Sequence, residues 1–263
     1  MKTTRILDAI NDPEIVERIV SRRDLLRQGG TATTAMAIAS VPVLLSVFAK
    51  SAFAQGSGLP QQVKDVLNFA LTLEYLEDEF YRAGLAASAL IPAADQAIFA
   101  QISKHEVAHV ALLKTTLGAD AVAKPTFDFT AKGAFPDVFT NYETFKTLSQ
   151  GFEDTGVRAY KGQAANLQVS PDILTVALQI HSVEARHASE IRRLRGGFSE
   201  SGLHKGWITG NQTDVPALAA TYAGEENFTQ GGVALANSNA VTEAFDEPLT
   251  KDQVLAIAGP FIV

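Results

Sequence analysis

Residues 170–196 read SPDILTVALQIHSVEARHASEIRRLRG. Within them Ile173, Ala177, Ile180, Glu184, His187, Ile191 and Leu194 follow one another three or four positions apart, so a helix carries all seven on one face. Ser170 suits the N-cap, Pro171 the first helical position and Gly196 the end. Five of the seven are apolar, which makes the face a core face. Glu184 and His187, at i and i+3, occupy that face too, and burying an unpaired carboxylate costs several kcal/mol. A metal ion or charges on neighbouring helices must compensate them.

Working outward, the same feature recurs upstream, where Ile102, Glu106, His109, Leu113 and Leu117 form one stripe. With 15 glutamates and 5 histidines in 263 positions, chance supplies about 0.3 Glu-x-x-His pairs. One pair would mean little; two, both centred on apolar stripes, mean more. Two further helical stretches carry a second repeat, Glu74 with Tyr81 and Glu153 with Tyr160, seven residues apart in each and so on one face. Glu74 precedes Glu106 by 32 positions and Glu153 precedes Glu184 by 31, the mark of a duplicated helical hairpin. The four helices are expected at about residues 60–87, 92–117, 140–167 and 170–196, with Pro92 in a first turn, Gly118 as a stop and Thr140 with Glu143 as a capping box. Short links make one–two and three–four antiparallel neighbours. Residues 118–139 have no strong pattern, and such a connector reaches beyond the roughly 39 Å length of a 26-residue helix. It can cross the whole bundle.

Folded so, the chain gathers four carboxylates and two imidazoles at mid-height, a set suited to two hard-to-borderline divalent ions with bridging carboxylates and one histidine on each ion. On these residues the chain resembles the ferritin-like superfamily. More narrowly, LEYLEDEFY (73–81), HEVAH (105–109), FEDTGVRAY (152–160), VEARH (183–187) and EAFDEPLT (243–250) resemble exported bacterial ferritin-like domain proteins related to plant desiccation-related proteins. The resemblance covers about residues 60–260. It implies an all-α, ferritin-like four-helix bundle with one long crossover, and two Fe or Mn ions per chain on Glu74, Glu106, His109, Glu153, Glu184 and His187. Glu77 shares the inward face of the first helix but its counterpart is Gly156. His105 and His181 read as outer or surface groups, Tyr81 and Tyr160 as core aromatics able to hydrogen-bond a ligand, and Arg186, Arg192, Arg193 and Arg195 as a solvated face.

Before the bundle, residues 1–54 hold Arg22-Arg23, an apolar run over 32–49 and Ala52-Phe53-Ala54, which resembles a twin-arginine export signal with an A-x-A cleavage site. An uncleaved leader anchored in the inner membrane is the alternative, though the run is short for a span. Seven of the 22 basic and five of the 29 acidic residues lie there, leaving 15 against 24 and a net charge of −9. That acidic balance argues against nucleic acid, and zero cysteines exclude disulfides, thiolate catalysis and cysteine-ligated metal. The bundle is expected over 55–197. Residues 198–263, rich in Gly, Asn, Thr and Ala, read as an irregular extension packed on it, with Thr250 and Gln253 capping a short helix before Pro260. The expected function is an exported, periplasmic di-metal protein reacting with peroxide or dioxygen under oxidative or desiccation stress. The rival class is a non-enzymatic stress or envelope protein with a structural or degenerate site, and a homo-oligomer stays open.

Overall fold

The structure, a computed structural model, describes residues 58–196 and 205–263; the leader at 1–54 and the start of the extension at 197–204 lie outside the described residues. Four helices form a bundle: α1 (Gln61–Ala86), α2 (Gln96–Leu117), α3 (Tyr142–Gln163) and α4 (Pro171–Gly196). α1 packs along α2 and α3 along α4, so each hairpin buries its apolar stripe against its own partner first. Across the hairpins, Tyr160 hydrogen-bonds Glu74 and Tyr81 hydrogen-bonds Glu153, a crossed pattern that requires α1 and α3 to run antiparallel. Contacts of His109 with Glu184 and of His187 with Glu106 repeat it for α2 and α4. α2 and α3 therefore run the same way, and the connector between them returns along the bundle.

Two helix starts differ from expectation. α2 begins at Gln96 rather than Pro92, because residues 92–95 form a separate turn in which Asp95 N and Gln96 N both donate to Pro92 O, at 2.9 and 3.2 Å. Asp95 forms no side-chain cap, and its carboxylate accepts from the Tyr142 hydroxyl at 2.7 Å instead. α3 is capped by Asn141, whose Oδ1 accepts from Glu143 N and Thr144 N at 3.0 and 3.4 Å. The Thr140–Glu143 capping box does not form, as the Thr140 hydroxyl donates to Asp137 O instead. At the other end of α2, Gly118 at φ +57° turns the chain out of the helix.

Apolar packing divides at mid-height. One end is aromatic, built on Phe80, Tyr81, Phe99, Phe145 and Phe152 with Phe129, Phe135 and Val138 of the connector. The other is mainly aliphatic, with Val63, Leu67, Leu71, Leu113, Leu167, Ile173 and Ile180. The polar layer of the bundle is sealed between them.

Every residue of α3 from Phe145 to Tyr160 is buried, although its outer face carries Gln150, Asp154, Thr155 and Arg158. The extension covers that face. It comprises a 3-10 segment Pro216–Tyr222, a two-stranded hairpin β1 (Thr229–Gln230) and β2 (Val233–Ala234), and helices α5 (Asn239–Thr242) and α6 (Lys251–Ala258). Gly231 and Gly232, both at positive φ, make the hairpin turn. Thr250 and Gln253 form the capping box of α6.

Arg158 anchors the extension: its guanidinium donates to the carbonyls of Thr221, Ala223 and Glu247 and pairs with Glu225 at 2.8 Å. Arg192 grips Asp154 through two nitrogens, at 3.1 and 2.5 Å, and the Tyr222 hydroxyl donates to the same carboxylate at 2.8 Å. Arg195 donates to Gln150 and Asp214. Arg192 and Arg195 are thus interior groups and not a solvated face, because the extension supplies or encloses their partners. Two outer glycines allow this approach: a Cβ on Gly162 would lie 1.9 Å from Leu249 O, and one on Gly151 3.0 Å from Leu218. Finally, Ile262 bridges to Phe127, and Asp128 N donates to Phe261 O at 2.8 Å, fastening the end of the extension to the connector.

Candidate metal centre

The six residues singled out from sequence converge between the aromatic and aliphatic ends. Glu74, Glu106, Glu153 and Glu184 are fully buried, and His109 and His187 keep 8 % and 5 % of their surface. They fall into two groups whose facing atoms lie within 4.8 Å of one another: Glu74, Glu106, His109 and Glu184, and Glu106, Glu153, Glu184 and His187. Glu106 and Glu184 belong to both. Each group draws on three helices, so neither exists within a single hairpin.

His109 Nδ1 lies 3.1 Å from Glu74, 3.0 Å from Glu106 and 3.1 Å from Glu184. His187 Nδ1 lies 3.1 Å from Glu106 and 3.2 Å from Glu153, with Glu184 at 3.9 Å. A ring nitrogen carries one proton at most, so it cannot satisfy three carboxylates. Three of the four oxygens of the shared pair, Glu106 Oε1 and both of Glu184, accept no hydrogen bond. Buried carboxylate oxygens without donors, converging with a ring nitrogen, are what a divalent cation completes. Four carboxylates also match the charge of two divalent ions. The residues therefore fit such ions, and among them Glu106 and Glu184 would bridge.

The electrostatics show the same deficit of positive charge. Burial, with Glu184 beside it, pushes Glu106 up to about 7, and burial with Glu153 pushes Glu184 up to about 8. Burial alone also raises Glu74, but the His109 charge and hydrogen bonds from His109 and Tyr160 bring it below the usual range. The imidazoles would be lowered by burial, yet the carboxylates hold them well up: Glu74 foremost for His109, and Glu153 for His187, which reaches about 11.

Around this layer, the hydroxyls of Tyr81 and Tyr160 donate to Glu153 and Glu74, each from the opposite hairpin. This crossed bonding fixes the two non-shared carboxylates. His105 stands behind His187, with Nδ1 2.8 Å from His187 Nε2 and the rings stacked. Glu77 is buried too and fills the space beside Gly156, where a Cβ would lie 3.3 Å from Glu77 Oε1 and 3.6 Å from Glu184 Oε2. Burial and then Glu184 and Glu153 push its carboxyl well above the usual range. Sequence had placed Glu77 on the inward face, but its seat against a glycine of α3 depends on the crossed packing. His181 faces the extension, away from the six, with Asp246 and Lys161 acting on it.

A family model described as the ferritin-like domain matches residues 62–197, just over half of the chain. A comparison with curated proteins returns no match. The matched span contains the four bundle helices but for Gln61, with every residue of the buried Glu/His layer, and the chain belongs to the ferritin-like family.

Proposed function

We propose that this is an exported di-metal carboxylate protein that holds two iron or manganese ions per chain and reacts with peroxide or dioxygen. The observation that carries the reading is the pair of overlapping ligand groups, with Glu106 and Glu184 common to both and three of their four oxygens lacking donors. Two redox-active ions supply two electrons to, or take two from, one molecule of oxidant. The chain's own residues do the rest. Glu74, His109, Glu153 and His187 hold the outer positions, Tyr81 and Tyr160 keep Glu153 and Glu74 in place, and the aromatic end keeps bulk water out. The two imidazoles, on α2 and α4, are the members of the layer that keep some exposure, 8 % and 5 %.

Apo protein loaded separately with Fe(II) and Mn(II) tests this, with peroxide consumption, oxygen evolution and optical spectra followed over time. Turnover above that of the free ion is expected for one of the metals. Full occupancy without turnover in either would replace the enzyme reading with a structural metal protein of the envelope or stress response, a reading favoured by the complete burial of all four carboxylates. The stress role and periplasmic location follow from the resemblance and the twin-arginine leader. Changing Arg22 and Arg23 together to Lys is expected to leave precursor in the cytoplasm, and normal export of that variant removes the leader from the argument.

A further inference from the structure

The two halves of the centre are matched in almost every respect. Each position has three carboxylates and one imidazole, and each non-shared carboxylate takes one tyrosine hydroxyl. Ligand number therefore does not distinguish them, and Glu77, the buried carboxylate whose counterpart is Gly156, lies beside the shared Glu184. The difference lies behind the rings. His187 turns Nδ1 to the carboxylates and Nε2 to His105 Nδ1 at 2.8 Å, with ring centroids 5.1 Å apart and planes within 10°. His105 Nε2 in turn lies 2.7 Å from the amide nitrogen Nε2 of Gln101 at the surface. In the duplicated hairpin the position one before Glu184, equivalent to His105, is Val183, which has no hydrogen-bonding side chain. Among the described residues His109 has no such imidazole behind it.

A ring that binds a metal through Nδ1 keeps its proton on Nε2. His187 then donates Nε2–H to His105 Nδ1. That atom must be unprotonated, so His105 carries its own proton on Nε2; the Gln101 atom facing it is the amide nitrogen, itself a donor, so this tautomer requires the amide to turn and present Oε1 instead. The chain Gln101–His105–His187 thus locks one tautomer and one ring orientation and increases the donor strength of His187. A partner of this kind is typically worth roughly 10–100-fold in metal affinity.

Resting on the di-metal reading above, we infer that His105 is a positioning residue that makes the two metal positions unequal. The position of Glu106, Glu153, Glu184 and His187 fills first, and that of Glu74, Glu106, His109 and Glu184 second. Loading is stepwise, and a singly loaded form with its ion on the His187 side is populated before the pair is complete.

The test is titration of the metal-free full chain with Mn(II), and anaerobically with Fe(II), reading free and bound metal at each addition. Two steps are expected. His105→Phe weakens the first by roughly 10–100-fold and leaves the second in place, whereas His105→Gln, which keeps an oxygen to accept the Nε2–H, restores most of it. His109→Ala retains the tight step and His187→Ala loses it. If His105→Phe does not fold, His105→Ala makes the same comparison without the added bulk. Two equal steps in the wild-type chain, or a His105 variant that weakens both alike, overturn the inequality alone. Binding of neither ion by the wild-type chain overturns the di-metal reading itself.

Discussion

At Glu184 both carboxylate oxygens are buried without a donor, so the folded metal-free chain favours the protonated acid. Carboxyls at about 7 and about 8 for Glu106 and Glu184, above the usual 4.5, add stability that is complete below pH 4.5 and is lost as pH rises through those values. His187, raised from 6.5 to about 11, changes in the same direction over the upper part of that window. The metal-free protein is therefore expected to melt at progressively lower temperature from pH 5 to pH 8. Metal needs the deprotonated ligands, so its stabilising effect grows over the same window. Thermal unfolding with and without Mn(II) across this range checks both slopes, and a metal-free profile that rises with pH contradicts them. Bound-metal analysis should further show Glu106→Ala and Glu184→Ala losing more metal than His109→Ala or His187→Ala, since each shared carboxylate serves both positions. Convergence of the six side chains was legible from spacing alone, because i, i+3 and i+7 fix which groups share a helix face. The roles of His105 and Glu77 were not, because both depend on which helix stands opposite.

Between elements, the covering of α3 decides how the bundle is completed. Its outer face reads as polar, and it is buried only because Arg158, Asp154 and Gln150 find partners in the extension or in α4. This is why the arginine-rich end of α4 was misread as solvated: heptad-like spacing places Arg192 off the core stripe, and nothing in residues 170–196 reveals that Tyr222 and Trp207 lie against it. Removing Arg158 leaves Glu225 buried and unpaired, a loss of about 3–5 kcal/mol. Arg158→Leu should therefore lower the melting temperature and expose the extension to protease before the bundle. Gly162→Ala is expected to act on the same contact, since its Cβ and Leu249 O cannot share the space. Limited proteolysis of both variants, mapped by mass spectrometry, separates a detached extension from global unfolding; cleavage beginning within α3 in either variant contradicts the assignment.

Over the whole molecule, the long connector between α2 and α3 was foreseen as a crossover from its length, but the residues that hold it were not. Phe129, Phe135 and Val138 enter the aromatic end, and Phe261 completes that cluster against Phe152 at 4.9 Å between centroids. Deleting residues 259–263 should accelerate amide exchange at residues 126–131 of the connector while leaving α1 and α2 protected; unchanged exchange there would show that the bridge contributes nothing. The pairing of Phe127 with Ile262 also has a consequence in time. The two residues are separated by 135 positions, and a ribosome adding about 5–20 residues per second needs roughly 7–27 seconds to cover that interval. Throughout that delay the connector backbone at Phe127 and Asp128 lacks the segment that pairs with it, and Phe152 and Phe135 lack their contact with Phe261. Formation of this bridge is thus governed by the synthesis of residues 261 and 262, not by the speed at which the helices themselves form.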